Sequence, residues 1–358
     1  MRRLQISRSV GLRGLRVSVV IQLFPFTDWY AMATIGLDIG GANLKAARPD
    51  GTARSRPFAL WKDPERLPAE LRAGLGDWLP CDQLAVTMTG ELCDCFADRA
   101  EGVRFILLAI QHWDDPSSIR VWRADGRFAT LAETLADPLP AASANWLALA
   151  SWAGKLAPRG VAVVVDVGST TADIVPLVDG QPRPAGRTDL DRLRTGELVY
   201  TGVRRTPICA LAEPGEVMAE LFATTLDVYL ALGRLPEEPH NLATADGRPA
   251  TRRFALARLA RMLGADASAL GESTIRELAE RTADRQRRLI LAAWDRVAAR
   301  LPGPVTNVFA AGSGEFLAVE IARSAAPQAT ILPLSEVVSP LASVAACAFA
   351  VAVLAELS

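Results

Sequence analysis

Short runs of apolar residues that stop at an acid and a glycine set the pattern of this chain. Val163–Gly180, VVVDVGSTTADIVPLVDG, reads as an apolar strand ending at Asp166, a Gly/Ser/Thr loop, and a second apolar run closed by an Asp-Gly turn. Ile35–Gly51, IGLDIGGANLKAARPDG, repeats it: Asp38 matches Asp166, Gly40 matches Gly168, and Asn43 and Lys45 fall on Thr171 and Asp173. Strands apolar at almost every position are buried on both faces, as in α/β proteins. Two such units predict a duplicated α/β chain with two polar hairpins facing each other.

The rest of the pattern fills in around that pair. Gln83–Leu92 reads as a strand whose carboxyl end delivers Thr87, Thr89, Glu91 and Asp94 to one place. A helix follows it, then the apolar run Val103–Gln111, then a hairpin over Ile119–Leu131 with Asp125-Gly126 as its two-residue loop. Ser143 is placed to cap an apolar, interior helix through Ala157. Helices are expected over about 64–78, 214–233, 253–263 and 273–300. A late strand, VTNVFAAG, runs into a Gly312-Ser313-Gly314 break that opens another helix. The last helix, Pro340–Leu357, is apolar on most faces but too short to read as a membrane span. The expected division is a leader over 1–31, a first subdomain over 32–158, a second over 159–336, and a C-terminal helix over 337–358 that packs back on the first.

Composition narrows the classes. Half of the 358 residues are apolar and the net charge is −1, so a nucleic-acid groove is not expected as the main surface. Five scattered cysteines suit free thiols in a reducing compartment, hence a cytoplasmic protein. Only two histidines, His112 and His240, leave little for a His-rich metal centre or a Ser-His-Asp triad. Cys93-x-Cys95 lacks a second pair at zinc spacing and reads as packed thiols. The basic leader, with five arginines before residue 17, reads as a disordered tail or a misplaced start ahead of Met32.

The repeated hairpins carry the chemistry. Glycine lets successive backbone N–H groups turn inward onto an oxyanion, and small hydroxyl residues add donors without bulk. An aspartate at the strand end works on phosphate through a divalent cation or a water. Two such loops, with a third Gly-rich turn at Ala310–Glu315, are the trio with which the acetate kinase, sugar kinase, Hsp70 and actin superfamily embraces a nucleotide. Resemblance to that superfamily implies a duplicated, actin-like (ribonuclease H-like) α/β fold of two domains with a central cleft.

MTGELCDCF (Met88–Phe96), DVGSTTADIVP (Asp166–Pro176), TDLDRLRTGELVYTGVRRTP (Thr188–Pro207) and FATTLDVYLALG (Phe222–Gly233) resemble the hydantoinase/oxoprolinase-related family of one-carbon pathway proteins. Within it they are similar to the synthases of methanofuran and methylofuran biosynthesis, over nearly the whole chain from Met32. That resemblance implies condensation of an aminomethyl-furan-methyl diphosphate with the phenol of a tyramine or tyrosine glutamyl conjugate, releasing pyrophosphate. It implies small-molecule substrates, with neither nucleic acid nor membrane as partner, and leaves ATP binding and oligomeric state open. Read against that chemistry, Gly40, Gly41, Asn43, Gly168, Ser169, Thr170, Thr171, Gly312 and Gly314 bind phosphate. Asp38, Asp166 and Asp173 hold Mg²⁺, while Lys45 offsets developing charge and Asp166 or Glu91 takes the phenolic proton. Asp189, Arg192, Tyr200, Arg204 and Arg205 bind the acceptor. The competing readings are an ATP-dependent small-molecule kinase or hydantoinase/oxoprolinase-type amidohydrolase of the same fold, and a nucleotide-sensing scaffold without catalysis.

Overall fold

The computed structural model of the chain describes residues 34–111 and 118–358; the expected leader and His112 lie outside them. The first lobe runs β1 (Thr34–Ile39), β2 (Asn43–Ala47), β3 (Ala53–Pro57), α1 (Leu67–Leu75), β4 (Gln83–Met88), α2 (Arg99–Gln111), β5 (Ile119–Trp122), β6 (Phe128–Thr130), α3 (Leu131–Ala136) and α4 (Asn145–Leu156). The second continues with β7 (Val161–Val167), β8 (Ala172–Val178), β9 (Gln181–Pro182), α5 (Asp189–Thr195), β10 (Leu198–Val199), α6 (Thr225–Ala231), α7 (Arg252–Met262), α8 (Ala267–Leu270) and α9 (Glu272–Ala298). β11 (Val305–Ala311), α10 (Glu315–Ala325), β12 (Thr330–Pro333), α11 (Leu334–Val337), α12 (Pro340–Val344) and α13 (Ala346–Glu356) complete it.

The two sheets share one plan. The first is ordered β3-β2-β1-β4-β5-β6 and the second β10-β8-β7-β11-β12, with β9 added on β8. In each, a buried central strand pairs antiparallel with the next strand in sequence (β1 with β2, β7 with β8) and parallel with a later one (β1 with β4, β7 with β11). Parallel neighbours need a crossover, and helices supply it on both faces. The register also repeats: Asp38 stands opposite Lys45, and Asp166 stands opposite Asp173. This is the duplicated, actin-like α/β architecture that the two hairpin signals predict.

Between the sheets lies a core built on α4 and α13. Ala47, Ala85 and Trp122 from the first sheet and Ala162, Val164 and Phe309 from the second join one cluster with Leu149, Phe349 and Val351. Phe349 meets Trp152 edge-on at 5.0 Å between ring centroids. Close approach depends on two glycines: a Cβ on Gly36 would sit 1.9 Å from Ala348 O of α13, and one on Gly154 would sit 2.0 Å from Gly180 O. Burying that apolar face, at roughly 25 cal/mol per Å² of area, is what fixes the lobes to one another.

Several expectations shift. The apolar run Val103–Gln111 lies inside α2, because Val103, Ile106, Leu107 and Ile110 fall on one buried stripe at helical spacing. The helix expected over 214–233 starts only at Thr225, where Thr224 and Asp227 form a capping box. The last helix breaks at Ala345, and the Ser343 carbonyl beside the break accepts from Gly312 N. Ser143 is not the cap of α4; that place falls to Ala144. Among the described residues no helix is long and apolar enough to cross a membrane.

Candidate active site between two acid–glycine hairpins

The β1–β2 and β7–β8 turns are built alike. Gly40 N donates to Asn43 O at 3.0 Å, and Gly168 N donates to Thr171 O at 2.8 Å. The second turn is braced from behind: Val203 N donates to Gly168 O, and Arg204 N and Arg205 N both donate to Ser169 O. That bracing needs Gly202, where a Cβ would lie 2.4 Å from Thr170 N. The turns meet directly, Asn43 Nδ2 donating to Ser169 Oγ at 3.3 Å. They wall one cleft of about 430 Å³, which Gly40, Gly41, Asn43, Gly168, Ser169, Thr170 and Thr171 all line.

Charge is concentrated at its floor. Asp38, 4% exposed, lies 3.7 Å from Lys45 Nζ, and its Oδ1 is buried without a hydrogen-bond partner. Burial lifts the Asp166 carboxyl to about 7; Lys45 opposes that rise, while Asp173 and Asp38 reinforce it as like charges. For Lys45 burial pulls downward, but Asp38 and Asp166 outweigh it, so its ammonium is held more firmly than usual. Cys347, at the start of α13, places its Sγ 3.7 Å from Asp166 Oδ2. Burial, with Asp166 next, pushes that thiol well above its ordinary range, so it stays protonated.

The expected site residues divide. The three aspartates expected to hold a metal do not form a ready cage: among the described residues no group of three His, Cys, Asp or Glu side chains is arranged to bind an ion. Asp173 is tied instead to Arg192 Nη2 at 2.8 Å. Arg192, expected on the substrate, borders the cleft but is 1% exposed; it packs 4.0 Å over the Trp146 ring and serves Asp173 as a counter-charge. Arg204 does not line the cleft; its two terminal guanidinium nitrogens donate to Glu238 at 3.1 and 2.5 Å. Gly312 and Gly314 also lie off the lining, packed against the end of β7, where a Cβ on Gly312 would meet Asp166 Oδ1 at 2.3 Å. Gly312 lets Asp166 sit where it does, and Gly314 leaves room for Val167 and Val203.

Asp189, Tyr200 and Arg205 line the cleft, with Arg205 stacked 4.2 Å over the Trp61 ring from the opposite lobe. Glu91 is 1% exposed beneath the wall and meets Ser143 Oγ at 2.8 Å, while the same hydroxyl meets Asp189 Oδ2 at 2.9 Å. Trp61, Ser143, Trp146 and Cys347 are site residues that the sequence did not single out as such. Nothing local marks them, because each is brought in by packing between the lobes.

Two sheets of one plan, each offering an acid–glycine hairpin to a shared cleft, define a two-lobed protein of the actin-like class. Within it, the chain belongs to the hydantoinase/oxoprolinase family, whose description matches residues 82–356. It is 32% identical over 329 residues to a Methanocaldococcus jannaschii protein named (4-{4-[2-(gamma-L-glutamylamino)ethyl]phenoxymethyl}furan-2-yl)methanamine synthase, covering 89% of this chain and 96% of that one. A Methanococcus vannielii protein of the same name is 40% identical over 111 residues, 29% of this chain and 50% of its own. Among solved structures, an archaeal actin homologue in complex with ADP aligns over 91% of this chain and 100% of its own, at 15% identity and a TM-score of 0.46.

Proposed function

We propose that this protein is a biosynthetic transferase. It joins an aminomethyl-furan-methyl diphosphate to the phenol oxygen of a tyramine or tyrosine glutamyl conjugate and releases pyrophosphate, in methanofuran or methylofuran synthesis. The observation that carries this reading is the similarity to the named synthase across nearly the full length of both chains. The cleft supports it chemically. Breaking a furfuryl C–O bond leaves a cation that the ring stabilises, so catalysis consists largely of stabilising the departing diphosphate. The turn amides of Gly41 and Ser169, the hydroxyls of Thr170 and Thr171, and the Lys45 ammonium border one space suited to that anion, while Gly40 N and Gly168 N are used within their own turns.

Mg²⁺ fits the same floor. Asp38 offers a buried oxygen without a partner, and Asp166 is a carboxylate crowded by like charge; both are hard donors. A site of two carboxylates completed by substrate phosphate is the ordinary habit of this ion. When bound it would neutralise phosphate charge, and Asp38 and Asp166 would hold it. The protein's own groups do the rest: Arg205 and Tyr200 at the rim suit the acceptor's carboxylate and ring.

The test is direct. Folded protein incubated with the furan diphosphate, the glutamyl-tyramine conjugate and Mg²⁺ is expected to yield equal amounts of pyrophosphate and coupled ether by mass spectrometry. Absence of both products, with the tyrosine conjugate as well, removes this reading. ADP formation from ATP stimulated by a small acceptor would favour a phosphotransferase in its place.

A further inference from the structure

One serine hydroxyl in the cleft wall meets two carboxyl groups. Ser143 Oγ lies 2.8 Å from Glu91 Oε1 and 2.9 Å from Asp189 Oδ2, both true hydrogen-bond distances. A hydroxyl carries a single hydrogen and an ionised carboxylate carries none. With both carboxylates ionised, one of the two contacts would be oxygen against oxygen with no proton between. The arrangement closes only when one carboxyl is a neutral acid that donates to Ser143, while Ser143 donates to the other.

The surroundings decide which one. Glu91 is 1% exposed, and its Oε2 is buried with no hydrogen-bond partner at all. Ionised, it would leave a charged oxygen unanswered in a dry place. The cation facing it, Arg99 of α2, stops 3.9 Å from Oε1, beyond hydrogen-bond reach. The other ionisable groups nearby are Cys93, held as a thiol chiefly by burial, and Asp189 itself, whose negative charge opposes a second one on Glu91. Burial is the largest influence on the Glu91 carboxyl and lifts it, against the pull of Ser143 and Arg99. Asp189, by contrast, is the first residue of α5 and lines the cleft. Ser143 holds its position with a φ of 48°, a left-handed conformation that a serine adopts only under constraint.

We propose that Asp189 takes the proton of the attacking phenol, and that Ser143 and a neutral Glu91 stand behind it as positioning residues. This rests on the transfer reading above. As the phenol oxygen bonds to the furfuryl carbon, the C–O bond to the diphosphate breaks and its electron pair leaves with the diphosphate. The phenolic proton passes to the Asp189 carboxylate and is lost to water after product release. Glu91 donates to Ser143, Ser143 donates to Asp189, and the chain fixes which way the Asp189 carboxylate faces. The three residues come from separate stretches of the chain, so the base is assembled only when both lobes are in place.

Two measurements test this separately. In an infrared difference spectrum between wild type and Glu91→Gln at neutral pH, without substrate, the wild type is expected to show the carbonyl stretch of a buried carboxylic acid. Its absence overturns the neutral Glu91. In the coupling assay, Asp189→Asn is expected to lower kcat about 100-fold or more, the scale of a lost general base, with KM for the diphosphate within about threefold. Glu91→Ala is expected to lose about tenfold in kcat, and Glu91→Gln, which keeps a donor toward Ser143, to recover most of that loss. Ser143→Gly suits the backbone there and is expected to stay folded yet lose kcat like Glu91→Ala. An Asp189→Asn enzyme that turns over like wild type overturns the base assignment while leaving the transferase reading intact. A wild type that makes no ether ends the transferase reading and the role of Asp189 with it, and the infrared band still decides Glu91.

Discussion

Asn43 of the first hairpin donates to Ser169 of the second across 3.3 Å, joining two turns that are 126 residues apart in the chain. Each turn is the end of a buried strand in its own sheet, so this one contact reports whether the lobes face each other over a common ligand. Asn43→Ala and Ser169→Ala are each expected to weaken binding of inorganic pyrophosphate about tenfold by calorimetry. The double variant should lose less than the sum of the two, because the pair shares one bond. Strict additivity would show that the hairpins bind independently.

Asp166 governs a pH dependence of stability. Its carboxyl is raised to about 7 in the folded chain from the ordinary 3.8. The folded state therefore keeps a proton there that the unfolded state gives up. The stability tied to that proton is complete below about pH 4 and is lost as the pH rises toward 7. Asp166→Asn removes the titration. Thermal melts in metal-free buffer are expected to show a flatter dependence over that window, with the variant about 2 kcal/mol more stable at pH 8 and its coupling activity gone. An unchanged slope would mean that Asp166 is ionised throughout.

Arg205 and Trp61 stack across the cleft from opposite lobes at 4.2 Å. Such a pair is worth about 0.5–1 kcal/mol where it remains partly solvated. Arg205→Ala is expected to raise KM for the glutamyl acceptor about tenfold while shifting the melting temperature by only a few degrees. Arg205→Lys should not restore it, since a point charge lacks the planar fork. Equal kinetics for the Lys variant would place the carboxylate contact elsewhere.

Gly36 makes a prediction about the fold alone. A methyl there meets the Ala348 carbonyl at 1.9 Å and Ala352 N at 2.9 Å, both backbone atoms of α13. Gly36→Ala is expected to cost about 3 kcal/mol or more, or to prevent accumulation of folded protein, because neither element can give way. Gly303→Ala, where a Cβ meets nothing within 4 Å, is the matched control and should melt with the wild type.

The parts of this molecule that were legible in the sequence are those whose cause is local. An apolar strand, an acid and a small-residue turn lie within a few residues of one another, so Asp38, Gly40, Asp166 and Gly168 declared both their places and their pairing. The α2 stripe was equally local, but Val103–Gln111 is apolar enough to hide its period of 3.6. The wall of the site was not legible in the same way. Ser143 meets Glu91 across 52 residues and Asp189 across 46, and Cys347 reaches Asp166 across 181. Arg192 and Arg204 declare a positive charge, yet only the fold shows that Asp173 and Glu238 already claim them.

Helix α13 gives the chain an order of assembly. Its residues cover β1 and β4 of the first sheet and pack on α4, yet they are made well after all three. A ribosome that has finished β1 through α4 has produced a half-molecule with a bare, greasy flank and nothing to lay against it. Nascent chains stalled before Ala346 should therefore be captured by chaperones and cut readily by protease, and the first lobe should gain resistance only once α13 leaves the exit tunnel.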